Sequence, residues 1–110
     1  MRRRLGTLAL VALLPWQCTV AQDSAVARGE AVYTRICAMC HSPSGPATVT
    51  LAARLGADRA QLSQRRDLLP VYIRHVIRNG IGTMPHITKI EVPDTDADAV
   101  IAYLTRLNPN

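Results

Sequence analysis

Two cysteines and a histidine stand within five consecutive residues of this chain, in the order Cys37-Ala38-Met39-Cys40-His41. The preceding residues, from Ser24 to Met39, place apolar side chains at spacings of three and four, which predicts a helix. Side chains three positions apart lie on the same face of a helix, so both thiols should project together beside the imidazole. Whatever binds these three side chains constrains the fold around them.

A thiol pair at this spacing has several interpretations. A redox-active dithiol normally accompanies a βαβ pattern, and no strand is predicted here. A zinc site needs ligands from a second pair, and only the isolated His75 and His86 remain. In the Cys-x-x-Cys-His pattern the thiols add to the vinyl groups of a haem, and the histidine binds the iron. The motif therefore favours one covalent haem c held by Cys37, Cys40 and His41.

The N-terminus has the three parts of a secretory signal peptide, which we expect at residues 1–21. Arg2-Arg3-Arg4 precedes an apolar run from Leu5 to Leu14, and Thr19-Val20-Ala21 supplies small residues for cleavage. The apolar run is about half of the roughly 20 residues that span a bilayer, so we expect no stable membrane span after signal removal. Residues 22–110 would then form one monohaem domain in the periplasm. An uncleaved helix and lipid attachment at Cys18 are less favoured alternatives.

The composition supports a bound cofactor and excludes a nucleic-acid partner. The net charge of +5 falls to +2 without the three signal arginines, and the mature part has no basic run with interleaved aromatics. The chain has no Phe and one Trp, which lies at position 16 inside the expected signal. A domain near 90 residues often needs a metal, a disulfide or a cofactor to complete its core.

The rest of the chain predicts an all-α fold. Breakers indicate a loop over residues 42–46. Residues 51–62 are ambiguous, with a break at Gly56 and Asp58 as a possible cap for a second piece. Two clearer helices are predicted, from Asp67 to Asn79 with an early Pro70 and a Gly80 cap, and from about Thr95 to Leu107.

Met84 is the candidate for the second axial ligand of the iron. It lies 43 residues past His41, in a loop with glycines, where a thioether can approach the far face of a haem. Met39 lies inside the binding motif and is too close to fold over that face. His86 is the main rival and His75 a weaker one. Ligation by His and Met raises the reduction potential and favours electron transfer over ligand chemistry.

These motifs together resemble those of the class I cytochrome c family. Gly29 and Tyr33 ahead of the Cys-x-x-Cys-His motif resemble its N-terminal helix, and the stretch from Ile77 to Pro85 resembles the approach to its axial methionine. Residues 102–104 resemble its C-terminal helix. The resemblance implies a cytochrome c fold of about four to five short helices around one covalent haem. It also implies that His41 is the proximal ligand, that Met84 is the distal ligand, and that Gly29 and Tyr33 pack on Tyr103.

The chain departs from the family pattern after the haem motif. Only Gly45-Pro46 is present where many members have Gly-x-Gly-Pro, so Pro46 is a candidate acceptor for the His41 ring N–H. Five arginines could pair with the haem propionates, with Arg74 or Arg78 favoured because they precede the Met84 loop. The five are Arg54, Arg65, Arg66, Arg74 and Arg78.

The expected function is one-electron transfer outside the cytoplasm. Proteins of this kind resemble acceptors for periplasmic flavin- or quinone-dependent dehydrogenases, either as free shuttles or as subunits, and pass electrons to a terminal oxidase or another cytochrome. One alternative is a ligand-binding or peroxidase-like haem protein with an open sixth site. Another is an interaction module without haem.

Overall fold

The computed structural model describes residues 16–109, with side chains from Val20 onward. Within this part of the chain the only extended pairing is an isolated bridge between Ile81 and Met84, which confirms the all-α prediction. The α-helices are α1 (Trp16–Val32), α2 (Ala38–His41), α3 (Pro46–Leu55), α4 (Pro70–Asn79) and α5 (Asp94–Thr105).

The first helical segment is longer than predicted at both ends. Helix α1 passes without a break into a π-helix at Tyr33–Cys37 and then into α2, where the sequence predicts one helix from Ser24 to Met39. Residues 1–15 of the expected signal lie outside the described residues, and the expected cleavage after Ala21 falls inside α1. That boundary stays a prediction. No helix of the described part is long and apolar enough to cross a membrane.

The structure shows how residues 51–62, which are ambiguous from the sequence, are folded. Residues 42–45 form a turn, and Pro46 is the first residue of α3. The backbone N–H at this position has no acceptor within a helix, so a proline costs no hydrogen bond there. Gly56, with a φ of +92°, ends α3 as the sequence predicts. Two short 3₁₀ helices follow, at Ala57–Arg59 and Leu62–Gln64. The prediction of Asp58 as a cap is wrong, because Asp58 lies inside the first of these turns.

The two C-terminal helices agree closely with the sequence. Pro70 begins α4, three residues later than predicted, and Gly80 ends it with a φ of +72° and an N–H bond to the carbonyl of Val76. Helix α5 follows Pro93, and Asp94 and Asp96 lie in its first turn, where negative charge is favourable.

The core forms where α1 crosses α5. A Cβ atom on Gly29 would lie 1.9 Å from the carbonyl oxygen of Ala99, so only glycine allows the two backbones to approach this closely. One turn further on, the rings of Tyr33 and Tyr103 lie 5.4 Å apart at an angle of 49°, a favourable aromatic geometry. The predicted packing of Gly29 and Tyr33 on Tyr103 is confirmed.

This crossing positions the functional segment. The α1–α2 segment carries the Cys-x-x-Cys-His motif at its end, while Val100 and Leu104 of α5 and Ile73 and Ile77 of α4 are buried in the same cluster. The α1–α2 segment, α4 and α5 therefore surround the cavity that the motif lines.

We expect Gly29→Ala to destabilise the protein by about 1–3 kcal/mol, because the added methyl group overpacks the α1–α5 crossing. Without this overpacking, alanine would stabilise the helix by about 1 kcal/mol relative to glycine. A loss of stability therefore indicates the close crossing, and a gain indicates its absence. Urea unfolding of the purified protein measures it. Ala31→Ser, at an exposed position of α1, is the control and should change stability by no more than about 0.5 kcal/mol. A Gly29→Ala variant as stable as the parent would contradict the close crossing.

Candidate functional site

A cavity of about 280 Å³ lies among α1–α2, α4, α5 and the Met84 loop, near the lower end of the roughly 300–1,000 Å³ range of ligand pockets. Its walls are almost wholly apolar, with one charged side chain, that of Arg65. The lining residues are Tyr33, Ile36, Cys37, Cys40, His41, Leu51, Leu55, Leu62, Arg65, Leu68, Tyr72, Ile73, Val76, Ile77, Ile81, Met84, Pro85, Ile87, Val100 and Leu104.

The π-helix places the two cysteines on the cavity. It widens the helix from Tyr33 to Cys37, the first residue of the motif, and single π turns of this kind occur often at functional sites. Both thiols are free, with Cys37 partly buried and Cys40 exposed. Burial raises the pKa of Cys37 to about 11, so this thiol is protonated at neutral pH. Sequence reasoning places the thiols on one helix face but contains no signal for the π turn.

The His41 imidazole lines the same wall. Burial lowers its pKa from the ordinary value, which favours the neutral ring that binds metals. Its Nδ1 atom is buried and has no hydrogen-bond partner among the described residues. The prediction that Pro46 accepts this N–H is wrong, because Nδ1 has no partner in the described residues; Pro46 starts α3, and its carbonyl accepts from the Thr50 hydroxyl at 3.0 Å.

Contacts to the backbone carbonyls of Cys40 and His41 fix the end of the motif. The Tyr33 hydroxyl donates to the carbonyl of His41 at 3.1 Å, and burial raises the pKa of Tyr33 to about 12, which keeps the donor proton in place. A Cβ atom on Gly45 would lie 2.3 Å from the carbonyl oxygen of Cys40, so the turn after the motif packs directly on it. Sequence reasoning missed both contacts, although the Gly45-Pro46 pair was a visible signal for a tight turn.

Met84 enters the cavity from a loop with defined geometry. The Ile81 N–H donates to the Met84 carbonyl at 3.0 Å, and the Met84 N–H donates back to the Ile81 carbonyl at 2.9 Å. This narrow turn contains Gly82, whose φ of +56° suits glycine. A Cβ atom on Gly80 would lie 2.5 Å from the Met84 carbonyl oxygen, so the loop also folds back closely on the end of α4.

Arg78 holds the chain that follows Met84. Its guanidinium donates to the carbonyls of Ile87 at 3.0 Å and Val92 at 2.9 Å, and pairs with Asp94 at 2.9 Å. The Ile87 N–H also donates to the Ile77 carbonyl at 2.7 Å. These bonds tie the Met84 loop to both α4 and the start of α5.

The preference for Arg74 or Arg78 as a propionate partner is not supported. Arg78 is engaged as described above, Arg74 pairs with Asp98 of α5, and neither lines the cavity. Of the five arginines considered from the sequence, Arg65 is the one that lines the cavity.

The rival ligands lie elsewhere. His75 and His86 are exposed and do not line the cavity, and the side chain of Met39 is 78% exposed. No group of three His, Cys, Asp or Glu side chains in the described residues could hold a metal ion. The structure thus brings Cys37, Cys40, His41 and Met84 together around one cavity.

We expect Tyr33→Phe to destabilise the protein by about 1 kcal/mol, because the carbonyl of His41 loses its side-chain donor while the ring packing on Tyr103 remains. Urea unfolding measures the change. Tyr72→Phe removes a hydroxyl from a half-exposed ring and should stay within about 0.5 kcal/mol of the parent. Equal effects in the two variants would show that the hydroxyl of Tyr33 contributes nothing specific.

The cavity fits a haem by the chemistry of its walls. They are apolar, as a porphyrin requires, and they present two free thiols, a neutral imidazole and a thioether sulfur, which are the protein groups that hold haem c. A family model described as cytochrome c oxidase, cbb3-type, subunit III matches residues 24–104. No curated protein and no solved structure matches the chain. The chain therefore belongs to the family of cbb3-type cytochrome c oxidase subunit III, and it is a c-type cytochrome domain with one covalently bound haem c.

Proposed function

We propose that the protein is an exported, periplasmic one-electron carrier whose haem iron is bound by His41 and Met84. Its family marks it as an electron-transfer protein rather than an enzyme. The observation that carries the proposal is the position of Met84, which lines the same cavity as the Cys-x-x-Cys-His motif. With both axial positions filled by protein side chains, substrates would not reach the iron.

Different residues of the site have different proposed roles. Haem c, when bound, supplies an iron that alternates between ferrous and ferric states. Cys37 and Cys40 bind it through their sulfurs, so the cofactor stays attached in a small domain. The Tyr33 bond to the carbonyl of His41 fixes the end of the motif, and the turn at Gly82 fixes Met84.

The apolar walls of the cavity give the site a low dielectric environment, which is one of the factors that set a haem potential. At its edge, three lining side chains reach the surface: Leu55 is 40% exposed, Tyr72 50% and Ile81 52%. A redox partner could approach the cofactor here, where little protein intervenes.

The partners follow from the chemistry of the carrier. Membership of the family implies redox partner proteins. We propose a periplasmic flavin- or quinone-dependent dehydrogenase as the donor, which this chain would serve as a shuttle or as a subunit. The acceptor would be a terminal oxidase or another cytochrome, and the family name, which is that of an oxidase subunit, supports the first. The signal-like N-terminus supports export.

We expect Met84→Ala to keep the covalent haem but to lower the reduction potential and open the iron, because the thioether ligand stabilises the ferrous state. The visible spectrum should lose the methionine–iron charge-transfer band. Met39→Ala, which removes the exposed methionine at a variable position between the two motif cysteines, is the matched control and should leave the band and the potential unchanged. An unchanged spectrum in Met84→Ala would show that another group binds the iron.

We expect Cys37→Ala and Cys40→Ala each to lower or abolish the yield of holoprotein, because each variant loses one of the two covalent links and the core without haem is small. Haem staining of the denatured protein, expressed in a host that matures c-type cytochromes, measures the yield. Cys18→Ala is the control, since Cys18 lies in the expected signal, and it should not change the yield. Full haem attachment in both motif variants would contradict the assignment.

A further inference from the structure

Arg65 is a cation placed in an apolar wall. It is the one charged residue among those that line the cavity, and its side chain is only 13% exposed. An arginine cannot lose its proton in a protein, so its charge must be compensated where it lies. A buried charge without enough anionic partners is costly.

The carboxylate beside Arg65 is shared with a second arginine. Asp67 accepts from Nε of Arg65 at 2.7 Å and from its Nη2 at 2.9 Å, and it also accepts from Arg59 at 2.6 Å. Two guanidinium groups therefore share one carboxylate, which leaves the trio with one positive charge in excess. Water can solvate Arg59, whose side chain is 50% exposed, whereas the side chain of Arg65 is 13% exposed and has this shared carboxylate as its anionic partner in the described part of the chain.

Arg65 also has donors to spare. A guanidinium carries five N–H groups, and the two bonds to Asp67 use Nε and one hydrogen of Nη2. Its Nη1 has no partner in the part of the chain that the structure describes. The side chain can keep its bond to Asp67 and still bind a second carboxylate with the parallel donors of its planar fork.

We propose that Arg65 binds a propionate carboxylate of the haem and so positions the haem edge. This proposal rests on the haem c site described above and is independent of Met84 as a ligand. The haem is the one component of the site that brings carboxylates, and it supplies the anion that the Arg65 environment lacks.

The other arginines do not compete for this role. Arg74 and Arg78 are engaged with carboxylates of α5, and Arg54 and Arg66 are exposed and do not line the cavity. Arg66 is therefore a matched control, since it is next in sequence, carries the same charge and lies outside the cavity.

A guanidinium bound at a propionate offsets negative charge beside the iron and disfavours the more positive ferric state. Arg65→Gln should therefore lower the reduction potential of the purified holoprotein, while Arg66→Gln should shift it far less. Arg65→Lys keeps the charge but loses the fork, so it should restore part of the shift. The redox-induced infrared difference spectrum should show the propionate carboxylate band displaced in Arg65→Gln alone.

Equal shifts of the reduction potential in Arg65→Gln and Arg66→Gln, or no displacement of the propionate band, would overturn the proposal. Arg65 would then act on the iron only through its charge at a distance, without contacting the propionate. If Arg65→Gln yields little holoprotein, the double variant Arg65→Gln, Asp67→Asn keeps the net charge and removes the pair. A lowered potential there supports the propionate contact, and a parental potential refutes it. The methionine–iron band of the parent protein reports on Met84 separately, so either proposal can fail alone.

Discussion

The close approach of α1 and α5 at Gly29 is the constraint on which the rest of the structure depends. A side chain at this position would overlap the carbonyl of Ala99, so the backbones meet directly and the tilted ring of Tyr33 packs against Tyr103 one turn later. From this fixed point the first helical segment runs on to His41, and its π turn brings the thiols and the imidazole to the cavity. The crossing thus sets the position of the motif relative to α5.

Polar bonds and the close packing of the loop on Gly80 together hold the Met84 side of the cavity. The narrow turn at Gly82 and the triple contact of Arg78 with the following segment leave the Met84 side chain facing the apolar space. A chain without phenylalanine has few large groups to fill such a space. A covalent haem in this space would complete the core of the small domain, and we therefore expect the folding of the protein and the binding of its cofactor to be coupled.

Local patterns in the sequence predicted much of this arrangement, and contacts between distant residues account for the rest. Helical periodicity and breakers located α4, α5 and the loop between them, and the motif and Met84 do share one cavity. Arg78 pairs with Asp94, 16 residues further along the chain, and no short-range sequence pattern predicts a pair at this separation. The π turn before the motif and the start of α3 at Pro46 likewise have no local signal that the sequence analysis used.

An iron with both axial positions filled favours electron transfer over ligand chemistry, so the state of the sixth position separates the proposed carrier from the ligand-binding alternative. Our proposal of a closed iron rests on Met84, which lines the cavity, whereas His75 and His86 are exposed and do not line it. The most direct measurement adds carbon monoxide to the dithionite-reduced holoprotein at neutral pH and follows the Soret band. We expect no binding in the parent protein and rapid binding in Met84→Ala. Rapid binding of carbon monoxide to the parent protein would contradict it.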